Sequence, residues 1–243
     1  MTDAHCHLPA GAARHFLCEP LSAGVVPRAD DGVFYGVHPW LAEAPETPAV
    51  LASLRARLHA NPRAGVGEIG LDRLKTREIS PRMREVFAVQ LQVAAELHRP
   101  VVLHGAKCWG EVVKAAREFK GRIPAFLFHG FSRSVGLLPE IVALNGFVSV
   151  GPAGLTDHAV NSRALVRALP AERLLIETDR TTATAADAPQ VEEVLAAVAA
   201  LRGVSAEALV VQTDVNAQAF IGGCDASSEV LASEICYTPC QSH

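Results

Sequence analysis

The stretch Asp3-Ala4-His5-Cys6-His7 places two histidines one residue apart, a spacing that suits metal chemistry. On an extended chain, residues two apart project to the same side, so His5 and His7 can present two imidazoles to one cation. Glu68, His104, His129 and Asp179 follow, each at or just after the end of a short apolar run. Each alone has an ordinary explanation. A lone strand-end histidine is most often a hydrogen-bonded core or loop residue, and Glu68 or Asp179 can cap the helix that follows. Four imidazoles and two carboxylates at one end of one sheet are different, because burying them together is costly unless a cation offsets the desolvation. The six residues are therefore read as a metal site, and such a site serves to activate water for hydrolysis.

These side chains meet only if the elements carrying them converge. The apolar runs at 2–5, 24–27, 33–37, 64–68, 101–104, 125–129, 147–150 and 174–177 read as strands. Several are unbroken Val/Ile/Leu/Phe runs, as expected of parallel strands covered on both faces. Between them, 49–60, 81–97, 109–119, 134–144, 162–169 and 191–201 carry helical periodicity, and a last helix is expected over 205–220. Strand and helix in alternation imply a parallel sheet, and about eight such strands imply a (β/α)8 TIM-type barrel. In that fold the carboxyl ends of the strands share one face, which is where His5, Glu68, His104, His129 and Asp179 fall. The barrel is expected to span residues 1–222, with 223–243 as a tail and a shortened second βα unit.

Composition narrows the function classes. A chain of 243 residues with 49% hydrophobic and 20% charged residues fits one globular domain of barrel size. A net charge of −4 argues against a broad basic surface that coats nucleic acid, although bound divalent cations would add local positive charge. The six cysteines are irregularly spaced, which favours reduced thiols, and Cys236 and Cys240 lack the second pair that a zinc site would need. The N-terminus lacks a basic and apolar leader, and the alanine-rich 191–201 is too short to span a bilayer. A cytoplasmic location (nuclear is an alternative in a eukaryote) is expected, with no membrane and no obligatory protein partner; oligomeric state is left open.

The segments DAHCHL (3–8), GVHPW (36–40), VGEIGLD (66–72), PVVLH (100–104), FHGFS (128–132) and LLIETD (174–179), with a late VNAQAF (215–220), resemble the TatD family of metal-dependent deoxyribonucleases. They occur in the family's order. DAHCHL alone is shared across the wider amidohydrolase-like superfamily; GEIGLD and the ETD ending are more specific. The resemblance implies DNA as substrate and two divalent ions, Mg²⁺ or Mn²⁺, with Zn²⁺ suited to a histidine-rich site. It implies that His5, His7 and Asp179 serve one ion, that His104 and His129 serve the second, and that Glu68 lies between them. On this pattern Asp179 is the expected base for the attacking water, and Glu68 positions the pair.

Lys107, Ser132 and Arg133 follow the strand-end histidines and are candidate substrate contacts, with helix-cap or solvated roles as the alternatives. Asp72 is expected to orient a ligand, and His38 to be structural or to line the rim. The passage from DAHCHL to GVHPW is short for the family. Arg180-Thr181-Thr182 after ETD departs from the usual small and aromatic residues, and Lys107 stands in HGAKCW where many members carry arginine. A DNA exonuclease is the leading function. Two alternatives stay open: a barrel amidohydrolase or esterase acting on a small molecule, and a non-catalytic metal-binding relative.

Overall fold

The computed structural model describes residues 1–9, 11–19, 27–132, 135–156, 159–181 and 190–222. Eight parallel strands follow one another in chain order around the sheet: β1 (Thr2–Cys6), β2 (Arg14–Cys18), β3 (Gly32–Tyr35), β4 (Gly65–Asp72), β5 (Val101–Ala106), β6 (Phe126–Phe128), β7 (Gly146–Val150) and β8 (Leu174–Ile176). The edges β1 and β8 are brought together just past the end of β8. Thr178 donates from its backbone N and its hydroxyl to the Asp3 carboxylate at 3.0 and 2.6 Å, and Asp179 N donates to His5 O at 3.1 Å. The expected TIM-type barrel is thus present.

The helices α1 (Thr47–Ala60), α2 (Pro81–Glu96), α3 (Trp109–Arg117), α4 (Leu138–Ala143), α5 (Val160–Ala168), α6 (Val191–Arg202) and α7 (Ala206–Ile221) match the helical periodicities in number and place. Ser80 and Ser205 cap α2 and α7, accepting from Met83 N and Ala208 N. The run expected as one helix over 134–144 is divided into a 3-10 turn at Val135–Leu137 and α4, with Pro139 in the first turn of α4. Proline has no N–H to continue the preceding turn, so it opens a new helix.

The second strand needs correction. It lies at Arg14–Cys18, and the register Thr2↔Arg14 leaves only residues 7–13 between β1 and β2, where the described residues form no helix. The shortening therefore falls on the first βα passage. Residues 24–26 of the expected 24–27 strand lie outside the described residues, and Pro27 is not in a strand. Phe16 was decisive: it is fully buried and packs against Phe34 and Phe220 with ring centroids 5.8 Å apart, which outweighs the weaker Gly-Val-Val run.

The alternation of side chains along a strand fixes what faces the barrel axis. Val102, Leu127, Phe147 and Leu175 form an inner cluster with Phe16, Phe34 and Phe220, whereas Leu103, Phe128, Val148 and Ile176 belong to the larger core under the helices. Two residues beyond each inner position stand His104, His129, Ser149 and Glu177, so the polar groups sit directly on an apolar plug. In α7, Phe220 joins that plug. Asn216, in the VNAQAF motif, donates to Ala171 O and Leu174 O, both at 2.7 Å, and ties α7 to β8. Among the described residues, no single helix is long and apolar enough to cross a membrane. The tail at 223–243 lies outside the described residues.

Candidate metal centre

Glu68 is the hub. It projects from the middle of β4, whose residues are all buried, and its side chain is only 3% exposed. The neighbouring strand β5 approaches closely: Gly70 pairs with His104, and a Cβ at Gly70 would lie 2.0 Å from His104 O. Glycine at that position lets Glu68 and His104 reach the same point above the plug. His5 Nε2 and His7 Nε2 stand 3.2 and 3.3 Å from Glu68 Oε2. His104 Nδ1 and His129 Nε2 stand 2.5 and 2.7 Å from Glu68 Oε1. Asp179 Oδ1 lies 3.5 Å from His5 Nε2 and 4.0 Å from His7 Nε2. All six residues expected at a metal site therefore meet around one carboxylate, at the carboxyl ends of the strands.

Each ring is steered from behind. His7 Nδ1 faces Cys18 O at 2.8 Å, and a carbonyl oxygen only accepts, so the proton sits on Nδ1 and the Nε2 lone pair turns inward. His104 Nε2 faces Asp72 Oδ2 at 3.1 Å, which leaves its Nδ1 lone pair toward Glu68. Asp72 also accepts from Trp40 Nε1 at 2.6 Å and from the backbone of Leu74 and Lys75, in keeping with the expected orienting role. His5 Nδ1 lies 3.5 Å from the buried Cys18 thiol, and His129 Nδ1 lies 3.6 Å from Glu177 Oε1.

The charge balance shows what the cage wants. Burial opposes ionisation of Glu68, yet His129, His38, His5 and His104 outweigh it and hold the carboxyl well below its ordinary range. Burial would lower His129, but the Glu68 charge raises it to about 10. His104 is raised in the same way, and His5 well above its ordinary value by Cys18 and Glu68. Without a cation, the site can neutralise its carboxylates only by taking up protons. His5 Nε2 and His129 Nδ1 are buried with no hydrogen-bond partner among the described residues. Three sets of ligand atoms each lie within 4.8 Å of one another: His5, His129 and Asp179; His5, His7 and Glu68; His38, Glu68 and His104. Inward lone pairs, orphaned ring nitrogens and two carboxylates fit divalent cations.

Asp179 has a positive φ of 51°, a left-handed conformation that aspartate tolerates better than most residues. Its side chain is half exposed and borders a cavity of about 380 Å³, with His104, Lys107, Trp109, His129 and Ser132 also in its walls. Lys107 and Ser132 are thus beside the centre, while Arg133 lies outside the described residues.

Two residues outside the expected ligand set lie close to the centre: His38, expected only as structural or rim-lining, and Glu177, which was not singled out. His38 Nε2 is 3.3 Å from Glu68 Oε1, and burial holds the ring below its ordinary pKa despite that carboxylate. Its signal was positional, since GVHP follows a strand just as VVLH and FLFH do. Glu177 is 1% exposed, accepts from the Ser149 hydroxyl and backs His129. Its period-two offset from Leu175 is the feature that would have found it.

Similarity to known proteins agrees with this geometry. The model of the TatD related DNase family matches residues 28–222. The 3'-5' ssDNA/RNA exonuclease TatD of Pantoea ananatis is 30% identical over 77% of this chain and 76% of its own length. The protein of the same name from Klebsiella pneumoniae is 29% identical over 77% and 75%. Among solved structures, the TatD homologue YjjV of Escherichia coli superposes with a TM-score of 0.74 at 21% identity, covering 90% of this chain and 96% of its own, which supports the fold. With the family model matching most of the chain, this protein belongs to the TatD related DNase family, whose members are metal-dependent hydrolases of ester bonds.

Proposed function

We propose that this chain is a metal-dependent exonuclease that hydrolyses phosphodiester bonds of DNA. The observation that carries the reading is the convergence of four imidazoles and two carboxylates on one point, with a cavity opening beside it. The names of the relatives as 3'-5' ssDNA/RNA exonucleases support both the substrate class and attack from a strand end. His5, His7 and Asp179 would hold one divalent cation and His104 with His129 a second, with Glu68 between them. Mg²⁺ or Mn²⁺ suits the carboxylates, and Zn²⁺ suits the imidazoles. Bound there, such a pair supplies a positive clamp for a phosphate and lowers the pKa of water.

The chain's own groups do the rest. The Asp179 carboxyl is held below its ordinary range, because the His5 ring 3.5 Å away and the His129 charge outweigh desolvation. Half exposed toward the cavity, it takes the proton of the attacking water as the water oxygen bonds to phosphorus and the bond to the leaving oxygen breaks. Lys107, in the wall of the same cavity, would meet a non-bridging phosphate oxygen as a point charge without the bidentate fork of arginine.

The test uses end-labelled single-stranded DNA with Mn²⁺, with and without chelator, beside lactone and amide substrates. Chelator-sensitive loss of terminal nucleotides is expected. Turnover confined to the lactone or amide would transfer the site to the amidohydrolase reading, and metal bound without any turnover would leave a non-catalytic relative. Full activity of Asp179→Asn at saturating metal would exclude Asp179 as the base.

A further inference from the structure

We infer that His38 is a positioning residue that donates a hydrogen bond to Glu68 and stays outside the coordination shell, although it lies as near to Glu68 as His5 and His7 do. This rests on the metal-centre reading proposed above. The distinction comes from which ring nitrogen carries the proton. Trp40 N donates to His38 Nδ1 at 3.2 Å, so Nδ1 must present its lone pair. A neutral imidazole has one N–H, which is then on Nε2, 3.3 Å from Glu68 Oε1. A nitrogen that bears a proton has no lone pair for a cation. His7 and His104 are the reverse case, with their outer nitrogens against acceptor oxygens and their lone pairs turned inward.

The segment that carries His38 is built to hold this orientation. Pro39 follows it and opens a 3-10 turn at Pro39–Leu41, with His38 as the cap at φ −60° and ψ 144°. One residue before it, the backbone of Val37 is clamped from α2 by fully buried Gln90, which accepts from Val37 N at 2.6 Å and donates to Val37 O at 3.2 Å. Trp40 works in both directions. Its backbone N–H sets the His38 tautomer, and its indole N–H holds the Asp72 carboxylate that faces His104. Residues 37–40 thus orient Glu68 on β4 through His38, and His104 on β5 through Asp72. The segment that follows β3 thus aligns ligands without supplying one, as Cys18 of β2 does for His7.

The test compares the full-length protein with His38→Leu and His38→Gln, whose amide nitrogen reaches close to the position of Nε2. Mn²⁺ stoichiometry and affinity are measured by calorimetry, and the protonated ring nitrogen by ¹⁵N NMR of the metal-free and Zn²⁺-loaded wild type. The expected results are a proton on His38 Nε2 in both states and an unchanged number of Mn²⁺ ions in His38→Leu, with affinity weakened about 10- to 100-fold and largely restored in His38→Gln. Loss of one Mn²⁺ from His38→Leu, or loss of the Nε2 proton when Zn²⁺ binds, makes His38 a ligand and overturns the inference alone. Unchanged Mn²⁺ affinity in both variants, with only thermal stability lowered, reduces His38 to packing and also overturns it. A wild type that binds no Mn²⁺ overturns the metal-centre reading as well. Should His38→Leu fail to fold, the NMR assignment and His38→Gln still decide.

Discussion

Stripping the divalent cations should leave the cage holding protons, and metal affinity should then depend steeply on pH. In the metal-free protein the Glu68 charge outweighs burial and raises His129 to about 10, and His5 and His104 are displaced the same way. A ring that accepts a cation must first lose its proton. Below about 10, each cation that engages His129 therefore releases one proton, and its apparent association constant rises about tenfold per pH unit. From pH 7 to 9 that is roughly 100-fold, or about 2.7 kcal/mol at about 1.36 per unit, and His5 and His104 steepen the slope.

The stability of the metal-free protein runs the other way. The folded value of His129 lies above the roughly 6.5 of an unfolded histidine, so its contribution is complete below about 6.5 and is lost as pH rises toward about 10. Chelator-treated protein should thus unfold at lower urea at pH 9 than at pH 7, whereas excess Mn²⁺ should stabilise it more at pH 9. Calorimetric Mn²⁺ titrations at pH 7, 8 and 9, in two buffers of different ionisation enthalpy, count the protons directly. An affinity independent of pH, with heats that do not depend on the buffer, would refute the proton-filled cage and the ligand role of these rings.

Asp72→Asn removes the charge behind His104 Nε2 and should weaken metal binding about 10- to 100-fold, with Glu68 and the other ligands intact. Equal Mn²⁺ affinity in calorimetry would remove Asp72 from the support of the centre. Lys107→Ala should raise KM for DNA more than it lowers kcat, and should reduce the log–log salt dependence of binding by about one. An unchanged salt slope would place Lys107 away from phosphate. Gly70→Ala puts a methyl group 2.0 Å from His104 O at a φ of +153°, and should cost about 3 kcal/mol or more in urea unfolding. A midpoint equal to that of the wild type would contradict the β4–β5 register.

The sequence by itself determined the fold class and pointed to the six side chains proposed to form the centre. Continuous apolar runs such as Val101–Leu103 and Phe126–Phe128, alternating with helical periods, are dictated by burial on both faces of a parallel sheet. The polar residues that end those runs stand on one face for the same reason. Tertiary structure alone decided the rest. The second strand at Arg14–Cys18 was not evident, because its burial rests on the packing of Phe16 against Phe34 and Phe220 and not on a continuous apolar run. That His38 and Glu177 back the centre, and that His7 and His104 present opposite ring nitrogens, follows from acceptors that lie up to 48 residues away in the chain. Periodicity says which face a side chain takes; which of its atoms carries the proton is set by the neighbours it meets after folding.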